Sequence, residues 1–262
     1  MIDDAIHSLS SINPNAKIGD GVKIGAFTHI DGDVEIGDGT WIGSNVTIMN
    51  GARIGKNCKI FPGAVISAEP QDLKFNGEYT TAEIGDCTII RECCTINRGT
   101  KDRNMTKVGK NCLLMAYTHI AHDVIMGNNC IIANSANIAG HVQIEDFVVI
   151  EGVVAIQQFV RIGQHSFLAG GSLVRKNVPP FVKAAREPLS FAGVNAIGLR
   201  RRGFDPESIG FIEDVYRMIY VHTSNLTQAI QAAEAEIPNS EHKSLILDFI
   251  RSSDKGIIRG PL

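Results

Sequence analysis

The sequence predicts a mainly β protein: a parallel β-helix followed by a small C-terminal helical domain. Two observations carry that expectation. The first is an unbroken six-residue repeat over residues 107–178. An aliphatic residue opens each hexad, at Val108, Leu114, Ile120, Met126, Ile132, Ile138, Ile144, Ile150, Ile156, Ile162, Leu168 and Val174. A small or β-branched residue stands four places later, from Cys112 and Thr118 through to Ser172 and Val178. A hexapeptide period is the signature of a parallel β-helix, in which each hexad is one short flat strand plus a corner. Three hexads close one triangular coil of 18 residues. The aliphatic residue fills the interior, and the small residue fits the corner. Gly often follows the aliphatic residue and accepts backbone angles that others resist. The second observation is the change after Arg186, where helical spacing and cap signals replace the hexads.

The hexads begin near Ile12 and continue through Ile18, Ile24, Ile30, Ile36, Ile42, Ile48, Ile54, Ile60 and Ile66. They stop over 67–83, return at Ile84, Ile90 and Ile96, and stop again over 101–106. Both gaps are multiples of six, so the face register is expected to survive them. Loops thrown out from a rigid scaffold are where binding residues concentrate. The plainer reading of the first loop is an insertion that protects a strand edge. Val178-Pro179-Pro180 is expected to end the repeat, since prolines cannot serve a strand ladder. The domains are therefore placed at 1–186 and 187–262. Asp205-Pro206-Glu207 is a helix start, with an N-cap Asp and Pro in the first turn. Ile209, Ile212, Val215, Ile219 and Tyr220 carry that helix toward His222. A second helix is expected from Asn225 or Thr227 to Ile237, and a third from Ser240 to about Arg251. Such a helical cap blocks association at the open edge of the β-helix.

Composition narrows the function classes. The 262 residues carry 25 Lys and Arg against 28 Asp and Glu, a net charge of -3. That excludes a global basic field for nucleic acid. The N-terminus has no basic start before an apolar run, and no run approaches the ~20 apolar residues of a membrane helix. A cytoplasmic protein is expected. Cys58, Cys94, Cys112 and Cys130 all fall on the small fifth position at multiples of 18. They are expected on one internal ladder, as small buried hydrophobes. Cys87 and Cys93 fall on fourth positions, at corners.

The chemistry is expected around His119, His122 and His141. Counting by 18 puts His122 directly below Gly140, and Gln158 one coil further on. Adjacent strands lie about 4.8 Å apart, so the imidazoles share one patch, expected on an outer face near a corner. Three histidines can hold a metal, and a solvated corner patch is the bland alternative. Against metal, Asp123 is their single acidic companion. A histidine base beside a backbone N–H suits acyl transfer, and Gly140 lets a substrate approach the backbone closely. His7, His29, His165, His222 and His242 lie apart in register and are expected at the surface.

Several stretches together carry a resemblance. They are His119-Ile120-Ala121-His122-Asp123, Gln71-Asp72-Leu73-Lys74, Ile90-Arg91-Glu92, Arg98-Gly99-Thr100, Ala139-Gly140-His141, Gly193-Val194-Asn195 and Arg201-Arg202-Gly203-Phe204. From about Ile12 to the C-terminus the chain resembles the acyl-[acyl-carrier-protein]:UDP-N-acetylglucosamine O-acyltransferases, the hexapeptide-repeat enzymes that open lipid A biosynthesis. The resemblance implies a left-handed β-helix and a homotrimer with sites between subunits. It implies UDP-N-acetylglucosamine and a 3-hydroxyacyl carrier protein as partners, with no cofactor and no metal. His122 is implied as the general base, Asp123 as its orienting partner and the Gly140 N–H as the oxyanion donor. His119 and His141 are implied to hold the sugar with its phosphates or acyl group. Asp72 and Lys74 are implied at the sugar and the acyl hydroxyl, and Gln158, Asn195 and Arg201 at the nucleotide and diphosphate. Gly170 is implied at the end of the acyl groove. Basic candidates for the carrier protein are Arg161, Arg175, Lys176, Lys183 and Arg186. The chain departs from the family pattern at Gln157, where His is usual before Gln, at Ile197 in place of Glu, and at Asn97 in place of His. These departures fall on uridine and ribose recognition. The rivals are the N-acyltransferase of the same pathway, a trimeric β-helix carbonic anhydrase and a structural scaffold. The first usually carries an N-terminal domain before its hexads, for which Ile12 leaves no room.

Overall fold

In the computed structural model, residues 5–221 and 225–260 are described; His222 lies outside them. Residues from Ser11 to Val174 wind as a left-handed parallel β-helix with three flat sheets. The first sheet has nine strands, from Ser11–Ile12 to Leu173–Val174, and the second has eight, from Lys17–Ile18 to Arg161–Ile162. The third has ten, beginning at Lys23–Ile24. Most strands are two residues long, one pointing out and one pointing in. The inward residue is the hexad's aliphatic one: Ile30, Ile42, Ile48, Ile60, Ile66, Ile90, Ile96, Leu114 and Ile120 are all fully buried. Burying one such side chain contributes about 1.5–3 kcal/mol, and the stack repeats the gain coil after coil.

The corners explain the fourth position of the hexad. Asp123, His141 and Phe159 have φ of 58°, 63° and 65° and stand one above another at the corner between the first and second sheets. Left-handed backbone is unusual outside Gly, yet here each coil requires it. Both excursions leave from this same corner: one between the strands Val65–Ala68 and Thr81–Ile84, the other between Thr95–Asn97 and Met105–Val108.

The excursions keep the period of six but not that of 18. Ile89 pairs with Lys59 and with Leu113, steps of 30 and 24 residues. The single cysteine ladder is therefore corrected. Cys58, Cys112 and Cys130 share the corner before the third sheet, while Cys94 lies at the corner before the first. All four are buried, as expected for small hydrophobes. Cys87 and Cys93 occupy left-handed corner positions, with φ of 59° and 56°.

The ladder also continues past the two prolines. Val182–Ala185 pairs in parallel with Phe167–Leu168, Ala184 standing opposite Leu168 after 16 residues instead of 18. The final coil is shortened, so Pro179 and Pro180 fall in its corner. Ser190–Val194 then turns back antiparallel on the same sheet. Four helices follow: α1 Ala196–Arg201, α2 Pro206–Tyr220, α3 Leu226–Glu236 and α4 Glu241–Arg251. Asp205, Asn225 and Ser240 cap the last three, each side chain accepting from a first-turn N–H as an N-cap does. The short α1 has no long apolar stripe, so helical spacing does not reveal it. The C-terminal tail returns to the β-helix through bridges at Asn177–Ile257 and Ser190–Arg259.

His165 departs from its expected surface position. It is 8% exposed, stacked on Phe147 at 4.7 Å with Phe181 at 5.7 Å, and Phe204 meets it edge-on. The helical domain covers this corner, and His242 is likewise half-buried against Phe181 and Phe204. Burial, reinforced by the Arg202 charge, lowers the His165 imidazole to about 4, with Asp146 opposing and His242 adding to the fall. An unfolded histidine titrates near 6.5, so the unfolded chain takes up this proton first as pH falls. The contribution is complete above about 6.5 and is lost toward 4, roughly 1–2 kcal/mol after allowing for partial solvent access. Urea midpoints at pH 7.5 and pH 5 are expected to differ in the parent by more than in His165→Phe, which keeps the ring stack. Equal pH dependence in both proteins would contradict this.

Candidate active site

His122, Asp123 and Gly140 converge at the corner from which the excursions leave. His122 is 4% exposed and Asp123 is fully buried. The outer-face placement is thus corrected, because the second excursion folds against this corner. The His122 Nδ1 stands 2.8 Å from Asp123 Oδ2. Thr100 gives the same carboxylate two bonds, from Oγ1 to Oδ2 at 2.7 Å and from its N–H to Oδ1 at 3.0 Å. The Arg103 N–H adds a fourth, to Oδ1 at 3.2 Å. Two backbone contacts fix the residue itself: Arg103 Nη1 donates to Asp123 O, and Asp123 N–H donates to Thr106 Oγ1.

A carboxylate offers about four lone-pair positions, and all four are used. Burial pushes the Asp123 carboxyl up, but bonds from His122 and Thr100 outweigh it and leave it at about 2. An ionised, acceptor-only Asp123 holds the proton of His122 on Nδ1 and leaves the Nε2 lone pair open. The same saturation bears on metal binding. His122, Asp123 and His141 place ligand atoms within 4.8 Å of one another, but Asp123 keeps no lone pair for a cation. The repeat carries no signal that places Thr95, Thr100, Arg103 or Thr106 at this site. Thr100 sits within a quoted motif, yet only the folded loop brings it to Asp123.

The fold adds a second requirement for Gly at position 140. A Cβ there would stand 2.6 Å from His122 Cε1 and 2.8 Å from Nε2. The missing side chain makes room for the imidazole. Its carbonyl accepts from Phe159 N–H at 3.3 Å, while among the described residues its own N–H meets no acceptor. His141 N–H donates to His122 O at 3.1 Å, so the column of His122, Gly140 and Gln158 stands as counted.

The neighbouring rings complete the patch. His141 meets His122 edge-on at 5.1 Å and stacks on Phe159 at 4.5 Å. His119 lies on the adjoining strand, its Nδ1 2.7 Å from Thr95 Oγ1. Burial, then the His122 charge, lowers the His119 imidazole below its ordinary value. Asp72, Lys74, Thr100, Asp102, His141 and Phe159 line a cleft of about 270 Å³. The first excursion thus brings Asp72 and Lys74 beside His141.

The remaining expected residues lie outside that cleft. Gln158 is exposed, and its carbonyl accepts from Lys255 Nζ. Gly170 stands at the corner between the third and first sheets. Asn195 caps α1 by accepting from Gly198 N–H, and its amide donates to His165 O, so both ends are used within the chain. Arg201 and Asn195 line a cleft of about 500 Å³ over Phe167 and Lys183 of the third sheet, the face opposite the His122 corner. The basic candidates form no single patch. Arg161 is tied into α4, donating to Ser252 and lying over Phe249. Lys183 is on the third sheet, and Arg175 and Lys176 share a groove of about 450 Å³ with Arg259.

Comparison with known proteins decides the family. A family described as UDP N-acetylglucosamine O-acyltransferase, domain 2, matches residues 177–258. Bacterial transferase hexapeptide repeats match 33–68 and 105–140. The acyl-[acyl-carrier-protein]--UDP-N-acetylglucosamine O-acyltransferase of a Sulfurihydrogenibium species is 48% identical over 253 residues, 96% of this chain and 93% of that protein. The chain belongs to the UDP-N-acetylglucosamine O-acyltransferase family. The Stenotrophomonas maltophilia member is 41% identical over 99% of this chain and 100% of its own length. The solved structure of LpxA from Bacteroides fragilis, a UDP-N-acetylglucosamine acyltransferase of this family, superposes with a TM-score of 0.95 at 49% identity, covering 97% and 99% of the two chains. Among the described residues no helix is long and apolar enough to cross a membrane.

Proposed function

We propose that this chain transfers an (R)-3-hydroxyacyl group from acyl carrier protein to the 3-hydroxyl of UDP-N-acetylglucosamine, the first step of lipid A biosynthesis, in the cytoplasm. The observation that carries the mechanism is the His122–Asp123 pair, with its carboxylate fully satisfied and its imidazole packed on Gly140. Nε2 of His122 takes the proton of the sugar 3-hydroxyl as its oxygen attacks the thioester carbon. The Gly140 N–H receives the developing oxyanion. The tetrahedral intermediate collapses, the C–S bond breaks, and the proton on Nε2 goes to the departing thiolate. His119 and His141 hold the sugar nucleotide, with Asp72 and Lys74 at the sugar and the acyl hydroxyl.

The family's names speak for both substrates, and the arrangement of the chain supports sites shared between copies. Gln158 and Arg201 bind the nucleotide and diphosphate, Arg201 from the face opposite His122, in a cleft that Asn195 shapes by capping α1, so a second copy brings the two halves together in a homotrimer. Apolar outward residues Ile89, Leu113, Ile131, Val149 and Phe167 run up the third sheet and offer that contact surface. The test is direct: purified protein is incubated with UDP-N-acetylglucosamine and a series of 3-hydroxyacyl carrier proteins. A singly acylated sugar nucleotide, with its ester on O-3, is expected. Acylation of an amine, or no transfer from any carrier protein, would overturn the reading.

Gly170 ends the acyl groove in this reading. A Cβ there meets Gly152 O at 3.4 Å and the Glu151 side chain at 3.6 Å, so the chain tolerates a larger residue. An open groove accepts a long donor. Gly170→Met is expected to shift preference toward shorter acyl chains at unchanged thermal stability. An unchanged donor profile would place the end of the groove elsewhere.

A further inference from the structure

The second excursion brings a second carboxylate to the corner where Asp123 already meets His122. Thr100 and Arg103 fix Asp123 against His122, and Asp102, on the stretch between them, reaches His141. Asp102 Oδ2 stands 3.0 Å from His141 Nδ1, at ion-pair distance but out of line for a hydrogen bond. The Asp102 side chain is 60% exposed, so a small rotation brings it into line. The loop around it is tied down. Asp102 N–H donates to Thr100 Oγ1 at 3.3 Å, Asn104 N–H to Thr100 O at 2.7 Å, and Lys101 N–H to Glu78 Oε1 of the first excursion at 3.1 Å.

The His141 ring is constrained on its other sides. Phe159 stacks on it, Lys255 lies 5.3 Å over the Phe159 ring, and His122 meets it edge-on. Those contacts set the tilt of the ring. They do not choose between its two orientations related by a half-turn about χ2. Asp102 does, since it faces Nδ1, whereas Asp123 Oδ2, its lone pairs already used, lies 3.9 Å from Nε2. With Asp102 absent, Nδ1 is a buried polar atom with nothing beside it, and the half-turn becomes accessible. We infer that Asp102 is a positioning residue for sugar-nucleotide binding. It holds His141, which lines the cleft shared with Asp72 and Lys74, in one of its two ring orientations.

The inference rests on the proposed role of His141 in holding the sugar, and a double-mutant cycle separates the two. UDP-N-acetylglucosamine binding is measured by calorimetry for the parent, Asp102→Ala, His141→Ala and the double variant, with KM and kcat alongside. Removing one partner of a charged contact costs roughly tenfold in affinity. Asp102→Ala is expected to weaken nucleotide binding by about that factor and to raise KM equally, with kcat within about threefold. The double variant is expected to be no weaker than His141→Ala, because the two residues act as one unit. Asp102→Glu, which keeps the charge, is expected to recover most of the affinity. Additive losses, or an unchanged KM in Asp102→Ala while His141→Ala is impaired, would overturn the inference and leave the role of His141 standing. Unchanged binding in His141→Ala would remove that role and the inference with it.

Discussion

His122→Ala is expected to lower kcat by about 10²–10⁴-fold, the usual cost of losing a positioned general base. At 1.36 kcal/mol per decade that is about 3–5 kcal/mol of transition-state stabilisation. UDP-N-acetylglucosamine binding is expected to fall far less, because Nε2 gains its proton only as the reaction proceeds. The fold should persist, since no inward aliphatic residue is touched. Stability should still drop by about 1–3 kcal/mol, because Asp123 loses one of its four donors in a buried site. His122→Gln can return an N–H to Asp123 but cannot accept the proton. It is expected to regain stability without regaining turnover. Steady-state kinetics and melting curves on the three proteins check both halves. Near-normal turnover in His122→Ala would remove the general base from the mechanism. Asp123→Ala is a poorer probe, since it leaves three protein donors and His122 without their acceptor.

Gly140→Ala is expected to be nearly as damaging, for a steric reason. The added methyl would stand 2.6 Å from His122 Cε1, and the ring cannot retreat freely. Its Nδ1 is bonded to Asp123, and its edge lies against His141. Either the ring swings and Nε2 leaves its place, or the corner backbone shifts and moves the free N–H. Displacement of a reacting group by about 1 Å can cost about 10²-fold, so a kcat loss of that order is expected. The overpacking itself costs about 1–3 kcal/mol of stability. Kinetics read against melting temperature separate the two effects. A Gly140→Ala protein that retains kcat within a few-fold would show that His122 need not lie where the coil places it.

The β-helix was legible because one chemical requirement recurs in every hexad. An inward aliphatic residue and a small corner residue leave a period that no tertiary accident erases. Counting by 18 found His122 beneath Gly140 because no insertion lies between them. The same counting misplaced Cys94, because the excursions add residues at one corner and break the period of 18 while keeping that of six. His165 lies apart in register from the other histidines, which predicts a surface position. It is buried because the helical domain, distant in sequence, lies over that one corner. The roles of Thr100 and Arg103 are not legible in the sequence for a related reason. Their contacts with Asp123 depend on how a non-repeating loop folds back, and no periodic signal records that. Asn195 shows the opposite limit. A motif residue expected at the nucleotide spends both ends of its amide within the chain, capping α1 and tying it to His165 O.

General-base acyl transfer and metal chemistry make opposite demands on one cluster. His122, Asp123 and His141 are close enough to share a cation, yet the Asp123 carboxylate already accepts four hydrogen bonds. Acyl transfer to UDP-N-acetylglucosamine by protein dialysed against a strong chelator, with its metal content measured, tests this most directly. Full turnover in metal-stripped protein is the result expected. Loss of turnover on chelation, restored by added zinc, would contradict it and assign the cluster to a metal.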